Sequence, residues 1–256
     1  MISKFVRLAI LGLSVVGVPS TLLRAQSLHS AKGCSNLSVH GRYGFIVNGV
    51  SNGNPITIVG QIATNGNGTI AGTETVSENG TISQGLSVLG LYKINPDCTG
   101  TAGIQGQGRA KQNFNLALTS GAQEMDMVET DAGTTEGATV QAQGPKACAT
   151  ALESTYGLQG TGVVVGVGPS TLAGQVNLHA DGTLDGTETL SVNGSISKGL
   201  KISGIYKFSP QCFGGAVIKV GNIGPIHLDL QAVNGQQRIL FIQTNANTLS
   251  SGSLQH

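Results

Sequence analysis

The sequence predicts an all-β protein: two tandem small antiparallel β-barrels of about eight strands each, behind a signal peptide. Three observations carry this. One block occurs twice at a fixed offset of 114 residues. Within each copy, apolar residues alternate with polar ones over short runs, and glycine-bearing turns separate the runs. The chain holds 39 glycines and no tryptophan, with only 11% charged residues against 39% hydrophobic ones. That balance favours folded β structure over disorder.

The repeat comes first because it sets the architecture. Gly60-Gln61 recurs as Gly174-Gln175, and Gly72-Thr73-Glu74-Thr75 as Gly186-Thr187-Glu188-Thr189. Asn79-Gly80 recurs as Asn193-Gly194, Gly90 and Tyr92 as Gly204 and Tyr206, and Pro96 and Cys98 as Pro210 and Cys212. The frame extends outward to Cys34 and Cys148, and to Gly121 and Gly235. Tyr43-Gly44 against Tyr156-Gly157 is displaced by one residue, which implies a small indel. A period this long is a whole domain, since solenoid units run about 20–50 residues. The expected division is a signal peptide over 1–25, a first barrel over 26–144 and a second over 145–256.

The leader is read from Lys4 and Arg7 ahead of an apolar run from Leu8 to Val18, broken at Pro19, with cleavage after Ala25. No later segment reaches the roughly 20 apolar residues of a spanning helix, so no transmembrane segment is expected once the leader is removed. Taking three leader cations from the 14 Lys+Arg leaves 11 against 13 Asp+Glu. Such a surface argues against nucleic acid as a partner, because phosphate binding needs clustered cations. Export, to the periplasm or beyond the cell, is the expected fate.

Export also bears on the cysteines, two per copy and 64 residues apart in each. Four cysteines allow three pairings. If each ancestral unit had to fold alone, duplication selects Cys34–Cys98 and Cys148–Cys212. Each bridge should add roughly 2–4 kcal/mol, mostly by restricting the unfolded chain. A metal site would want closer spacing or histidine partners, and His29, His40, His179, His227 and His256 hold no repeated position. Neither a metal nor a cofactor is expected.

In the first copy the strand runs are 43–50, 56–63, 69–77, 81–83 leading into 86–94, 101–105, 113–119, 124–130 and 138–143. Asn-Gly at 79–80 and 193–194 is a strong hairpin signal, since both residues tolerate positive φ. A closed barrel is favoured because closure removes edges that so few charges could guard. Gly72, Gly90, Gly186 and Gly204 suit bends in its wall.

Tyr43-Gly44-Phe45, Gly68-Thr69 with Gly72-Thr73, Gly90-Leu91-Tyr92, Asp97-Cys98-Thr99-Gly100-Thr101 and Glu129-Thr130-Asp131 before Gly133 together resemble a family of exported bacterial β-barrel domains. That barrel is similar to allene oxide cyclase, which is lipocalin-like. The resemblance implies a barrel. It does not imply the cyclase reaction, because no cyclase catalytic residue matches a position here.

Alternation places side chains on faces. Ile70, Gly72, Glu74 and Val76 share one face, as do Leu184, Gly186, Glu188 and Leu190. Leu86, Val88, Gly90, Tyr92 and Ile94 form another row, matched by Leu200, Ile202, Gly204, Tyr206 and Phe208. If these rows point inward, each barrel interior holds one Glu and one Tyr. Glu74, Tyr92, Glu188 and Tyr206 are then candidate polar residues of an apolar cavity, with the tyrosine hydroxyl a candidate donor to the carboxylate. The alternative is a glutamate that only fixes register or faces water at the rim. The acidic run Glu124, Asp126, Glu129 and Asp131 reads as a solvated strand, because alternation splits it and the second copy carries Arg238, Leu240, Gln243 and Asn245 instead. No catalytic residue is assigned.

Three function classes follow. The first is an exported non-catalytic binding or surface module, in which tandem copies gain avidity. The second is a carrier or isomerase-like enzyme acting on a small lipophilic molecule inside the barrel. The third is a structural envelope or matrix protein. A cavity above roughly 300 Å³ would favour the second.

Overall fold

The computed structural model describes residues 33–256, so the predicted leader and His29 lie outside the described residues. The first barrel is built from β1 (His40–Ser51), β2 (Asn54–Asn65), β3 (Thr69–Glu78), β4 (Thr81–Ile94), β5 (Thr99–Gly106), β6 (Gln112–Thr119), β7 (Glu124–Glu129) and β8 (Thr134–Ala142). Each strand pairs antiparallel with the next, and β1 closes the barrel against β8. The second repeats the plan with β9 (Ser154–Val164), β10 (Gly168–Leu178), β11 (Thr183–Val192), β12 (Ser195–Phe208), β13 (Phe213–Val220), β14 (Ile223–Val233), β15 (Arg238–Gln243) and β16 (Thr248–Gln255). Here β16 closes against β9. Among the described residues no strand of one copy enters the other barrel.

Local chemistry explains the elements. In β4, Val88, Tyr92 and Ile94 are buried while Leu89 and Leu91 face out, as a period of two demands. Asn79 and Gly80 sit at φ 47° and 80°, and Asn193 and Gly194 at 47° and 84°. These are the left-handed conformations of a tight hairpin turn. Four residues beyond each turn, the register slips. Gln84 and Gly85 stand opposite the single residue Thr75, and Lys198 and Gly199 stand opposite Thr189. Gly85 and Gly199, at φ 66° and 63°, make these β-bulges possible. Each bulge lies beside Glu74 or Glu188.

One end of each barrel is sealed by the segment preceding its first strand. Cys34 is bonded to Cys98 and Cys148 to Cys212, with Cα atoms 4.9 and 5.1 Å apart. The pairing expected from duplication is therefore the one found. The tethered segment hydrogen-bonds to the inward tyrosine: Tyr92 donates to the Val39 carbonyl at 2.8 Å, and Tyr206 to the Leu152 carbonyl at 2.9 Å. The opposite end carries the β1–β2, β3–β4, β5–β6 and β7–β8 turns and their copies.

The two barrels also bury a joint surface. Val59, Val233 and Ile242 point away from their own interiors yet are fully buried, packed with Leu240 and Ile46. Thr75 donates to Asp229 at 2.6 Å, Ser251 to Asn48 at 2.7 Å, and the Asn247 amide to the Gly80 carbonyl at 2.9 Å. The first barrel offers β1–β3 and the second β14–β16, so the duplicated units join through different faces.

Candidate functional site

Glu74 and Glu188 both turn inward and both are buried, so neither faces water at the rim. Their surroundings diverge completely. In the first barrel, Arg109 from the β5–β6 turn places a guanidinium nitrogen 2.6 Å from Glu74 Oε1, and the carboxylate side chain is only 2% exposed. Gly106 makes room for this pair, since a Cβ there would run into Glu74 Oε1. Burial pushes the Glu74 carboxyl above its usual range, and the Arg109 charge pulls it back.

A second polar group lies near it. Gln112 donates to Glu129 Oε1 at 3.3 Å and to Glu136 Oε2 at 3.1 Å, bridging two carboxyls from β7 and β8. Glu136 is 1% exposed, and burial followed by the Glu129 charge raises its pKa to about 7. Glu129 is also buried, which corrects the expectation of a solvated acidic strand. Strand β7 alternates as expected, but Glu129 falls on its inner face. Together with Phe45, Phe114, Met125 and Met127, these polar groups fill the interior, leaving a cavity of only about 50 Å³.

The raised carboxyl has a measurable consequence. A group that binds its proton more tightly when folded stabilises the fold below its unfolded pKa and loses that contribution as pH rises through its folded pKa. Stability should therefore fall between pH 4.5 and about 7, with a slope no steeper than about 1.4 kcal/mol per pH unit for one proton. Urea unfolding across this window should show the fall in wild type and a flatter profile in Glu136→Gln. A wild-type profile that rises with pH relative to the variant would contradict the assignment.

The second barrel holds none of this filling. At the repeat positions of Arg109, Gln112, Glu129 and Glu136 stand Ile223, Ile226, Gln243 and Ser250. Several bulky inward residues shrink as well, although Met127 gives way to the larger Phe241. Phe114 becomes Leu228. Phe45 and Val47 become Leu158 and Gly160, as strand register shows: Phe45 pairs with Val140 and Leu158 with Leu254. The result is a cavity of about 450 Å³. Its wall is largely Leu, Ile, Val and Phe with a few neutral polar side chains, and among the described residues Glu188 is its one carboxyl. Val167 and Ile223, both more than half exposed, line it at the end away from the cystine. Glu188 is 5% exposed. Among the described residues no side chain or backbone group hydrogen-bonds to it, and burial alone raises its pKa.

Tyr92 and Tyr206 line the two interiors with their rings, but their hydroxyls serve the sealed ends. The Tyr206 hydroxyl lies 2.9 Å from both the Leu152 and His179 carbonyls, which share its one proton, and accepts from the Leu152 amide at 2.6 Å. Neither tyrosine is the donor to its glutamate. The structure thus brings Glu188 and Tyr206 to one cavity without joining them, and it places Glu74 and Tyr92 in a filled core. Arg109, Gln112 and Glu136 carry no repeat signal because they do not recur. Their signal was the set of positions at which the copies disagree. No protein-family model matches this chain, and no curated protein proves similar to it.

Proposed function

We propose that the chain is an exported binding protein whose second barrel holds one small, largely apolar molecule, while the first is a filled scaffold. The observation that carries this reading is the contrast between about 450 Å³ and about 50 Å³ of interior space in two copies of one domain. The larger volume lies in the range of ligand pockets, roughly 300–1,000 Å³. An empty apolar cavity costs the packing it forgoes, and an apolar guest restores it. Holding a molecule asks only for an apolar wall and a polar anchor, both of which the second barrel supplies. The two cystines, and the lack among described residues of a helix long and apolar enough to cross a membrane, accord with export.

The test is a titration of the purified chain with the neutral fluorescent probe N-phenyl-1-naphthylamine. Saturation at one probe per chain is expected. Ile218→Trp, which adds a ring to the cavity wall, should weaken binding by at least about tenfold, the effect of losing 1.4 kcal/mol. Two equivalent sites, or a variant that binds as well as wild type, would overturn the reading.

A further inference from the structure

We propose that the molecule held by the second barrel is a lipophilic cation, an apolar body carrying one ammonium or guanidinium head that pairs with Glu188. This deepens the reading above and rests on it.

The first barrel shows what this carboxylate takes as a partner. Glu74 and Glu188 descend from one position, on the same inner face and beside the same bulge. Glu74 is neutralised from within the chain by the guanidinium of Arg109 at 2.6 Å. The second barrel keeps the carboxylate and drops the cation, since Ile223 stands at the repeat position of Arg109. Among the described residues no Lys or Arg lines its cavity. Glu188 is buried yet bonded to nothing among the described residues. A carboxyl in that state is costly unless it is paired or protonated. A guest bringing its own cationic head would restore the ion pair that the first barrel makes internally, and its apolar body would fill the space vacated by Phe45, Phe114 and Glu136 in their smaller counterparts.

The other polar groups of the cavity are neutral. Gln243, Ser250, Ser170 and Thr248 can accept hydrogen bonds from a head group and add no competing charge. A carboxylate-headed guest would set two anions together in an apolar space. A neutral alcohol would gain one hydrogen bond from a protonated Glu188 but no ion pair.

Proton linkage gives a second readout. Burial holds the Glu188 proton above the usual carboxylate range, so an incoming cation must displace it. Ammonium affinity should rise with pH until Glu188 ionises in the empty barrel. Among the described residues Tyr206 is the one other titratable side chain lining the cavity, and its hydroxyl is held by backbone. The strands on either side present Gly174 and Leu200 opposite Glu188, so no neighbouring charge competes with it there.

The experiment is isothermal titration of the full chain with octylammonium, octanol and octanoate at pH 8, matched in chain length and differing in head. Octylammonium should bind at least about tenfold more tightly than octanol, with octanoate weakest. Glu188→Gln should bring octylammonium down to the octanol level while leaving octanol unchanged. The three-ligand comparison in wild type stands even if that variant folds poorly. Equal affinity for octylammonium and octanol would overturn the cation assignment and leave the lipophile reading standing. Binding of none of the three, together with no binding of the neutral probe, would remove both.

Discussion

Replacing Arg109 with methionine should destabilise the protein by about 3–5 kcal/mol at pH 8, the range measured when one partner of a buried ion pair is removed. Glu74 is 2% exposed at its side chain and Arg109 18%, so the pair sits inside the barrel rather than at its rim. Methionine keeps much of the arginine stem and its packing, which isolates the charge. The stranded carboxylate would then take up a proton. A buried carboxyl with a raised folded pKa contributes stability below its unfolded pKa and loses it as pH rises. The penalty should therefore shrink at pH 5. The double variant Glu74→Met, Arg109→Met should recover most of the loss, because replacing a whole buried pair by apolar groups is often neutral or better. Urea unfolding of both variants at two pH values decides the matter. A single-variant cost below about 1 kcal/mol at pH 8, the level of a surface ion pair, would mean that water reaches the pair.

The same substitution should enlarge the first cavity without making it the equal of the second. Phe45, Phe114, Met127 and Glu136 would still occupy it. The hollow in the second barrel is a sum of several changes, each small, and no single residue accounts for it.

That distinction explains what could be read from the sequence. The strands and the Asn-Gly hairpins depend on short patterns visible in a window of a few residues, whereas the two cystines, each closing 64 residues, are legible only through the duplication. That Glu74 and Glu188 share a face with apolar residues is equally local, since period two settles it; that this face points inward is read from the barrel. Whether the space around them is filled depends on side-chain volumes from all eight strands, which no window contains. The Gln112 bridge between Glu129 and Glu136 joins three strands, and only pairing reveals it. One long-range feature did leave a local trace. Ile239, Leu240, Phe241 and Ile242 run without alternation, whereas Met125, Asp126, Met127 and Val128 in the first copy alternate at Asp126. An unbroken apolar strand is one buried on both faces, and in β15 the outer face meets the first barrel.

Leu240→Asp, which copies Asp126 into the second barrel, should uncouple the two units. Leu240 is 1% exposed and, with Val233 and Ile242 of its own barrel, packs with Val59 of the first in the joint surface. Losing a buried leucine costs roughly 2–5 kcal/mol, and an unpaired buried carboxylate adds several more. Yet the total cannot exceed what the interface itself contributes, because the barrels can part and let the aspartate reach water. Ile239 and Phe241, on the inner face of the same strand, stay where they are, so each barrel keeps its own core. Parting would also free the β15–β16 turn, whose Asn247 amide donates to the Gly80 carbonyl. That turn leads into Thr248, which lines the hollow. The expected result is one cooperative calorimetric transition in wild type and two in the variant, the filled barrel melting above the hollow one. Octylammonium should then raise only the lower transition, since a ligand stabilises the unit that binds it. A variant that still melts in a single step would mean that the joint surface carries little of the coupling, and that the linker between β8 and β9 holds the barrels together without it.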